Sequence, residues 1–295
     1  MSHTHNHDIK SYNKAFAIGI LLNLGFVLVE AAYGVFADSL ALIADAGHNL
    51  SDVVSLLLAW IAGILARRPA TERRTYGLRK ATVMASLASA ILLLIALGGI
   101  AWEALGRFYD PKPVAGMPVI VVAAIGVVIN AATALLFMQG QKHDLNLRAA
   151  FLHMTADAGI SLGVVIAGVI ILFKGWLWID PALSLFIVLV VLVGTWRLLR
   201  DSVDYAMDAV PGNIDIQAIR HYLSGLDRVR HLHDLHVWPL STTEVALTVH
   251  LVVDDAMLDN FFVSDIQQRL HDEFDIEHAT IQVETALTES RCLLS

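Results

Sequence analysis

The chain has 295 residues, of which 56% are hydrophobic and 16% charged, and its mean hydropathy is +0.62. Soluble domains contain about 25% charged residues, so this composition excludes an ordinary soluble protein and indicates one that crosses a membrane. The formal net charge of −8 tells against nucleic acid as a partner, and the single cysteine, Cys292, excludes an intrachain disulfide framework.

Six apolar stretches are long enough to cross a bilayer, which takes about 20 residues. They predict membrane helices at 15–36, 40–66, 81–105, 114–138, 149–173 and 178–199. The start of the chain is polar, contains His3, His5 and His7, and does not resemble a cleaved signal peptide. We therefore expect residues 1–14 to form a histidine-bearing tail and the first stretch to remain as a helix.

Lysine and arginine residues are concentrated on one side of the predicted helices. The connection between the second and third helices contains six of them, Arg67, Arg68, Arg73, Arg74, Arg79 and Lys80. Cytoplasmic loops carry such an excess, so we expect this connection and both chain termini to lie in the cytoplasm. The short loops favour a multi-pass protein of a bacterial inner (plasma) membrane.

The composition changes near Asp208, where the apolar stretches give way to a polar segment. Its periodicity predicts, in order, a helix, two strands, a helix and a strand, at 214–225, 229–240, 244–253, 259–274 and 278–284. This order is typical of a small α+β domain with two helices on one face of a three-stranded sheet. The predicted organisation is a transmembrane domain at 15–207, a cytoplasmic domain at 208–286 and a tail at 287–295.

One spacing of histidine and aspartate occurs twice inside the predicted membrane helices. His48 precedes Asp52 by four residues and His153 precedes Asp157 by four, so each pair shares one face of its helix. If the two helices pack together, two imidazoles and two carboxylates form a tetrahedral set suited to Zn²⁺. Ionisable groups at membrane depth are costly and usually mark an ion pathway.

The same four residues predict competition between zinc and protons. Zinc binds neutral imidazole and ionised carboxylate, so its binding releases protons. Because histidine titrates near neutral pH, His48 and His153 are the predicted carriers of the exchanged protons. This competition is the minimum requirement for metal/proton antiport.

Other polar residues in the membrane helices are candidates for accessory roles beside this site. Asp45 precedes Asp52 by seven residues, and Asn23 and Glu30 are seven apart on the first helix, so each set shares one face. Under one interpretation Asp45 assists proton or ion entry, and Asn23 and Glu30 line the cavity beside the metal. Under the other, Asp45 caps its helix or contacts a neighbouring helix, and Asn23 and Glu30 form polar contacts between helices.

Three segments resemble motifs of the cation diffusion facilitator family, and the resemblance covers nearly the whole chain. They are SLALIADAGHNLSD at 39–52, DLNLRAAFLH at 144–153 followed by Asp157, and HDLHVW at 233–238. The chain is most similar to bacterial zinc exporters that have histidine in both membrane pairs. The resemblance implies a proton-coupled metal exporter, a homodimer with six membrane helices per protomer and a ferredoxin-like, metallochaperone-like cytoplasmic domain.

The resemblance also implies roles for individual residues. The two membrane pairs match the family's transport site, and histidine at the first position accompanies discrimination against cadmium. Lys80 and Asp208 match a charge pair that holds the dimer together where the membrane and cytoplasmic parts meet. His233, His250 and Glu284 match metal ligands of the cytoplasmic domain.

Two departures from the family pattern modify these expectations. Some members have histidine where this chain has Gln282, so we expect the cytoplasmic site to hold fewer ions or to bind them more weakly. The connection from Arg67 to Lys80 contains no histidine, aspartate or cysteine, so we expect no further metal site there.

The sequence therefore predicts a proton-coupled antiporter, not an enzyme, that exports Zn²⁺ by alternating access. Zinc is predicted as substrate and as regulatory ligand, with no organic cofactor, and other divalent transition metals stay open as substrates. One alternative is a membrane-anchored metal sensor or scaffold. The other, an intramembrane metalloenzyme, is less favoured because four protein ligands leave no open position on a catalytic zinc.

Overall fold

The structure is a computed structural model that describes residues 24–138, 145–254 and 260–285. The expectations for both terminal tails and for Asn23 lie outside the described residues, as does the side chain of Asp52. The chain divides into two compact units.

Among the described residues, six apolar helices follow the predicted stretches. They are α1 (Leu24–Phe36), α2 (Leu40–Ala66), α3 (Ala81–Tyr109), α4 (Gly116–Met138), α5 (Leu145–Lys174) and α6 (Ile179–Ala206). Five of them, α2 to α6, are long and apolar enough to cross a membrane, whereas α1 is shorter over its described residues. The helical transmembrane part of the predicted fold is therefore confirmed.

The first unit comprises Met1–Leu56 and Ser89–Trp196. Within it, small residues let helices α4 and α5 approach each other closely. A Cβ at Gly168 would lie 2.8 Å from Ile120 Cγ1, and one at Gly116 would lie 3.1 Å from the Gly168 carbonyl oxygen. Lipid tails are as apolar as leucine, so close packing of this kind is what holds membrane helices together. It positions α5, which carries one of the predicted His/Asp pairs.

Two long-range contacts hold the beginning of α2. The Asp180 carboxylate on α6 accepts hydrogen bonds from Ser39 Oγ at 2.5 Å and from the Leu40 backbone N–H at 2.8 Å. It thereby satisfies a donor that has no partner within the helix and opposes the positive end of the helix dipole. In the turn that precedes α2, Asp38 Oδ1 accepts a hydrogen bond of 2.6 Å from Arg107 on α3. These contacts fix the helix that carries the first predicted ligand pair.

The second unit, Leu57–Ala88 with Arg197–Ser295, contains the small sheet. Its further elements are α7 (Ile216–Ser224), β1 (Val229–Pro239), β2 (Val245–Val253), α8 (Asn260–Phe274) and β3 (His278–Thr285). The strand order is β1-β2-β3, with β1 antiparallel and β3 parallel to β2. The α-β-β-α-β order predicted from the sequence agrees with this arrangement.

Both short helices contribute to one hydrophobic core against the sheet. Ile219 of α7 and Leu270 of α8 belong to the same buried cluster as Leu247, Val249 and Leu251 of β2. Successive side chains of a strand point to opposite faces, so the residues between these on β2 lie on the face away from the helices. That second face is where the sheet carries its histidines.

Candidate metal centres

Three side chains from two membrane helices converge in the first unit; we call them the membrane cluster. His48 of α2 and His153 of α5 approach the carboxylate of Asp157, one turn further along α5. Asp157 Oδ1 lies 3.5 Å from His48 Nε2, and Asp157 Oδ2 lies 3.6 Å from His153 Nε2. The Asp157 side chain is 1% exposed, whereas that of His153 is 42% exposed.

These separations fit a tetrahedral zinc ion better than direct hydrogen bonds. Zinc–ligand bonds of about 2.0–2.1 Å at tetrahedral angles place neighbouring ligand atoms about 3.3 Å apart. The three ligand atoms all lie within 4.8 Å of one another, and the two imidazole rings are edge-to-face. Asp52, the fourth predicted ligand, lies on α2 one turn after His48, but its side chain lies outside the described residues.

A buried polar network adjoins the membrane cluster. Asn49 Nδ2, next to His48 in the chain, donates to Glu30 Oε2 on α1 at 3.5 Å. Ser161 Oγ, one turn after Asp157, donates to Asp45 Oδ2 at 2.9 Å. Glu30 and Asp45 are both fully buried. The structure thus brings two of the three predicted accessory residues beside the cluster and adds Asn49 and Ser161, which the sequence reasoning missed.

Three strands supply a second group, the sheet cluster, in the second unit. His233 of β1 and His250 of β2 are directly opposite each other, with ring centroids 5.0 Å apart. Glu284 of β3 lies between them, with Oε1 3.1 Å from His250 Nδ1 and Oε2 3.5 Å from His233 Nε2. The Glu284 side chain is 4% exposed. The donor set and spacing again fit zinc.

Two further side chains support the sheet cluster. Gln282 Nε2 donates to Glu284 Oε1 at 2.6 Å. The Gln282 amide is a poor zinc ligand, but this hydrogen bond orients the Glu284 carboxylate, which is a good one. Asp234 Oδ2 lies 3.6 Å from His250 Nε2, and its Oδ1 lies 2.9 Å from His236 Nε2. The hydrogen bond with His236, together with the nearby histidines, lowers the pKa of Asp234. The sequence reasoning assigned no role to Asp234.

The predicted charge pair also forms, within a single chain. Lys80 Nζ at the start of α3 lies 2.5 Å from Asp208 Oδ1 and donates to the Tyr205 backbone oxygen at 3.0 Å. Asp208 has a φ of 61°, a left-handed conformation that turns the chain after α6. Its predicted part in holding two protomers together stays a prediction.

Two family profiles match the chain and together cover most of it. They are the cation efflux transmembrane domain over residues 16–206 and the cation efflux protein, cytoplasmic domain over residues 211–286. These matches, with the five membrane-length helices, define a multi-pass membrane transporter of metal cations rather than an enzyme. The chain belongs to the cation efflux family, whose members are the cation diffusion facilitators.

Relatives from several bacteria match over nearly the full length. The zinc transporter ZitB of Escherichia coli strain K12 is 39% identical over 298 residues, covering 96% of this chain and 93% of that protein. The cadmium, cobalt and zinc/H(+)-K(+) antiporter of Bacillus velezensis is 35% identical, covering 97% and 93%. The metal cation efflux system protein CzcD of Cupriavidus metallidurans is 36% identical, covering 97% and 91%. The predicted family and fold class are therefore confirmed.

Proposed function

We propose that this protein exports Zn²⁺ from the cytoplasm in exchange for protons and that the ion crosses through the membrane cluster. The observation that carries the proposal is Asp157, a carboxylate 1% exposed at membrane depth and flanked by two imidazoles. An isolated buried carboxylate is strongly disfavoured in a membrane, so a cationic partner explains its position. The relatives that are named for zinc support zinc as that partner.

Each residue of the proposed transport site, which is the membrane cluster together with Asp52, has a distinct part in the proposed cycle. Asp157 and Asp52 supply negative charge, so a site with two histidines is close to neutral once Zn²⁺ binds. His48 and His153 bind the ion only as neutral imidazoles, so protons arriving from the outer side compete directly for their nitrogens. Glu30 and Asp45 sit beside the cluster as accessory carboxyl groups that pass protons on.

The membrane potential sets a requirement for this exchange. Export of a divalent ion against about 100 mV, inside negative, costs about 4.6 kcal/mol, and each entering proton returns about 2.3 kcal/mol plus its share of the pH gradient. At least one proton per zinc ion is therefore expected. Two histidines at the site provide the capacity for it.

The remaining expectations complete the proposal. The sheet cluster binds a regulatory zinc ion in the cytoplasmic domain. That domain also joins two protomers, in keeping with a family profile named for dimerisation. The arginine-rich connection after α2 faces the cytoplasm, and both termini lie on the same side. The short loops favour residence in a bacterial inner membrane.

Zinc uptake into inside-out vesicles with an acidic lumen tests the transport proposal. We expect uptake in the wild-type protein that disappears when the pH gradient is collapsed, and no gradient-driven uptake in Asp157→Asn. Asp204→Asn is the matched control, because it makes the same change at an exposed carboxylate near the end of α6. Uptake that persists in Asp157→Asn would show that zinc crosses elsewhere. Wild-type uptake that ignores the pH gradient would refute proton exchange.

A metal sensor makes the opposite prediction for the same experiment. A sensor reads zinc through its cytoplasmic ligands and needs no ion to cross the membrane. Its output should therefore survive Asp157→Asn and fail in His250→Ala. Gradient-driven zinc uptake that is present in the wild-type protein and in His250→Ala but absent in Asp157→Asn identifies a transporter, whereas a sensor shows no such uptake in any of the three proteins.

A further inference from the structure

The connection between α2 and α3 carries more positive charge than its surroundings neutralise. Of its cations, Arg79 pairs with Glu244 at 2.9 Å and Lys80 with Asp208 at 2.5 Å. Among the described residues, no carboxylate lies within ion-pair distance of the other four, which are Arg67, Arg68, Arg73 and Arg74. We expect such a cluster at the end of a membrane helix to lie at the depth of the lipid headgroups.

An apolar groove of about 620 Å³ begins beside this connection and runs between the two helices. We call it the α2–α3 groove. Its walls are apolar side chains of membrane-length helices, and its charged end is formed by two cations. The residues that define it here are Leu58, Ile61, Leu65, Met84, Arg74 and Lys80. Ile61 and Met84 are exposed, as expected of side chains that face lipid.

Arg74 is the cation that the groove offers to a ligand. Lys80 already contacts Asp208, whereas Arg67 and Arg68 line a separate polar cavity of about 780 Å³. Arg73, the neighbour of Arg74, does not line the groove. Arg73 and Arg74 therefore carry the same charge in the same segment, but of these two residues Arg74 alone lines the groove.

The backbone holds Arg74 in a defined turn. Thr71 and Arg74 exchange two backbone hydrogen bonds of 3.0 Å, and the Gly77 N–H donates to the Arg74 carbonyl at 2.9 Å. Gly77 has a φ of +70°, and a Cβ there would lie 3.0 Å from the Arg68 carbonyl oxygen. A side chain at position 77 would thus disturb the turn. This arrangement fixes the backbone at Arg74 and so reduces the backbone entropy lost on binding.

We propose that the α2–α3 groove binds one anionic phospholipid, with an acyl chain along α2 and α3 and its phosphate at Arg74. A guanidinium presents parallel N–H donors that match phosphate oxygens, and it suits planar, two-point recognition better than an ammonium does. The apolar walls require a hydrocarbon chain rather than a free anion. The unneutralised charge of the connection favours a headgroup with net negative charge over a zwitterionic one.

The proposal concerns lipid binding and does not depend on zinc as the transported ion. Its test is direct binding of a fluorescent phosphatidylglycerol to the full-length protein in detergent, with unlabelled competitors. We expect unlabelled phosphatidylglycerol to displace the probe at about tenfold lower concentration than phosphatidylcholine, because one charge-assisted contact changes the affinity by about that factor. Inorganic phosphate should displace it poorly.

Variants distinguish the groove from a diffuse basic surface. Arg74→Gln should lower the affinity for phosphatidylglycerol about tenfold, to the level of phosphatidylcholine, and Arg74→Lys should restore part of it. Arg73→Gln is the matched control and should change the affinity less than about twofold, because that residue does not line the groove. Thermal melting of each variant checks that it is folded.

Three outcomes would overturn the proposal. Equal losses in Arg73→Gln and Arg74→Gln would indicate a diffuse electrostatic surface without a site. Efficient displacement by inorganic phosphate would indicate a site for free anions instead of a lipid. Equal affinity for phosphatidylglycerol and phosphatidylcholine in the wild-type protein would show that the headgroup charge is not recognised.

Discussion

The membrane cluster and the sheet cluster contain the same groups, two imidazoles and one buried carboxylate, but different backbones hold them. In the membrane cluster, His153 and Asp157 share one helix and only His48 comes from another. In the sheet cluster each ligand comes from its own strand, and hydrogen-bonded ladders join all three strands. We infer that the first arrangement suits release of an ion and the second suits retention.

The inference follows from what has to move. A shift of α2 against α5 separates His48 from Asp157 without breaking a backbone hydrogen bond, because none joins these two helices among the described residues. Separating His233 from His250 requires opening the β1–β2 ladder, in which they are direct partners. A site that opens at low energetic cost can pass its ion on, whereas a site embedded in a ladder keeps its geometry.

Removing the carboxylate of each cluster should give the largest difference between them. Asp157→Asn is expected to lower the zinc transport rate at saturating zinc at least about 100-fold, since even supporting residues of metal sites are worth 10–100-fold. Glu284→Gln should leave the saturated rate within about twofold and only shift the zinc concentration for half-maximal rate. Initial rates in vesicles measure both. Loss of the saturated rate in a folded Glu284→Gln protein would mean that the clusters do not act separately.

Metal selectivity should change in the membrane cluster alone. His48→Asp replaces a borderline nitrogen with a third oxygen and loosens the tetrahedral set, so we expect the variant to transport cadmium. His250→Asp makes the same substitution in the sheet cluster and should not admit cadmium. Cadmium uptake into vesicles, with zinc uptake as the reference, measures the effect. Cadmium uptake in His48→Asp no higher than in the wild-type protein would refute the assignment of selectivity to this residue.

A smaller effect is expected from the carboxylate that borders the sheet cluster. Asp234→Asn should weaken zinc binding there by about tenfold at most, because Asp234 contacts His250 without belonging to the three converging ligands. Calorimetric titration in an Asp157→Asn background isolates this cluster from the transport site. Asp265→Asn, at an exposed carboxylate on α8, is the control and should leave zinc affinity unchanged. An unaltered affinity in Asp234→Asn would remove Asp234 from the site.

The membrane cluster was easier to predict from the sequence than its surroundings. The four-residue spacing places His153 and Asp157 on one helical face whatever the rest of the chain does, and apolar flanks make both conspicuous. Asn49 and Ser161 gave no such signal, because amide and hydroxyl groups are common in membrane helices. Asp180 was missed as a cap for α2 because its partner Ser39 is 141 residues away in the chain.

The sheet cluster shows a different limit. Strand positions correctly suggested that His233 and His250 are neighbours, since both lie on predicted adjacent strands. Strict alternation would place Asp234 on the opposite face from His233. Instead, Asp234 adopts a φ of 53° where the register of β1 and β2 shifts, and this irregularity brings it to His250. A local break in periodicity of this kind depends on tertiary pairing and is not visible in the hydrophobic pattern.

Substitution of a surface histidine should have the smallest effect, and it shows how a histidine outside both clusters behaves. His271 Nδ1 on α8 lies 2.9 Å from Asp272 Oδ1, and this contact raises the pKa of His271 above its ordinary value of 6.5. Stabilisation from a raised pKa is fully present below the ordinary value and is lost as the pH rises through the raised one. Both groups are exposed, so the gain is small.

The melting temperature of His271→Gln should therefore be slightly lower than that of the wild-type protein at pH 5.5. At pH 8.5 the two melting temperatures should be equal. Zinc affinity and transport should not change, because His271 belongs to neither group of converging metal ligands among the described residues. Thermal melting at the two pH values measures the first expectation, and calorimetric zinc titration measures the second. A melting difference that grows as the pH rises would reverse the assigned sign. A loss of zinc binding would extend the sheet cluster to α8 and remove the distinction between converging and isolated histidines.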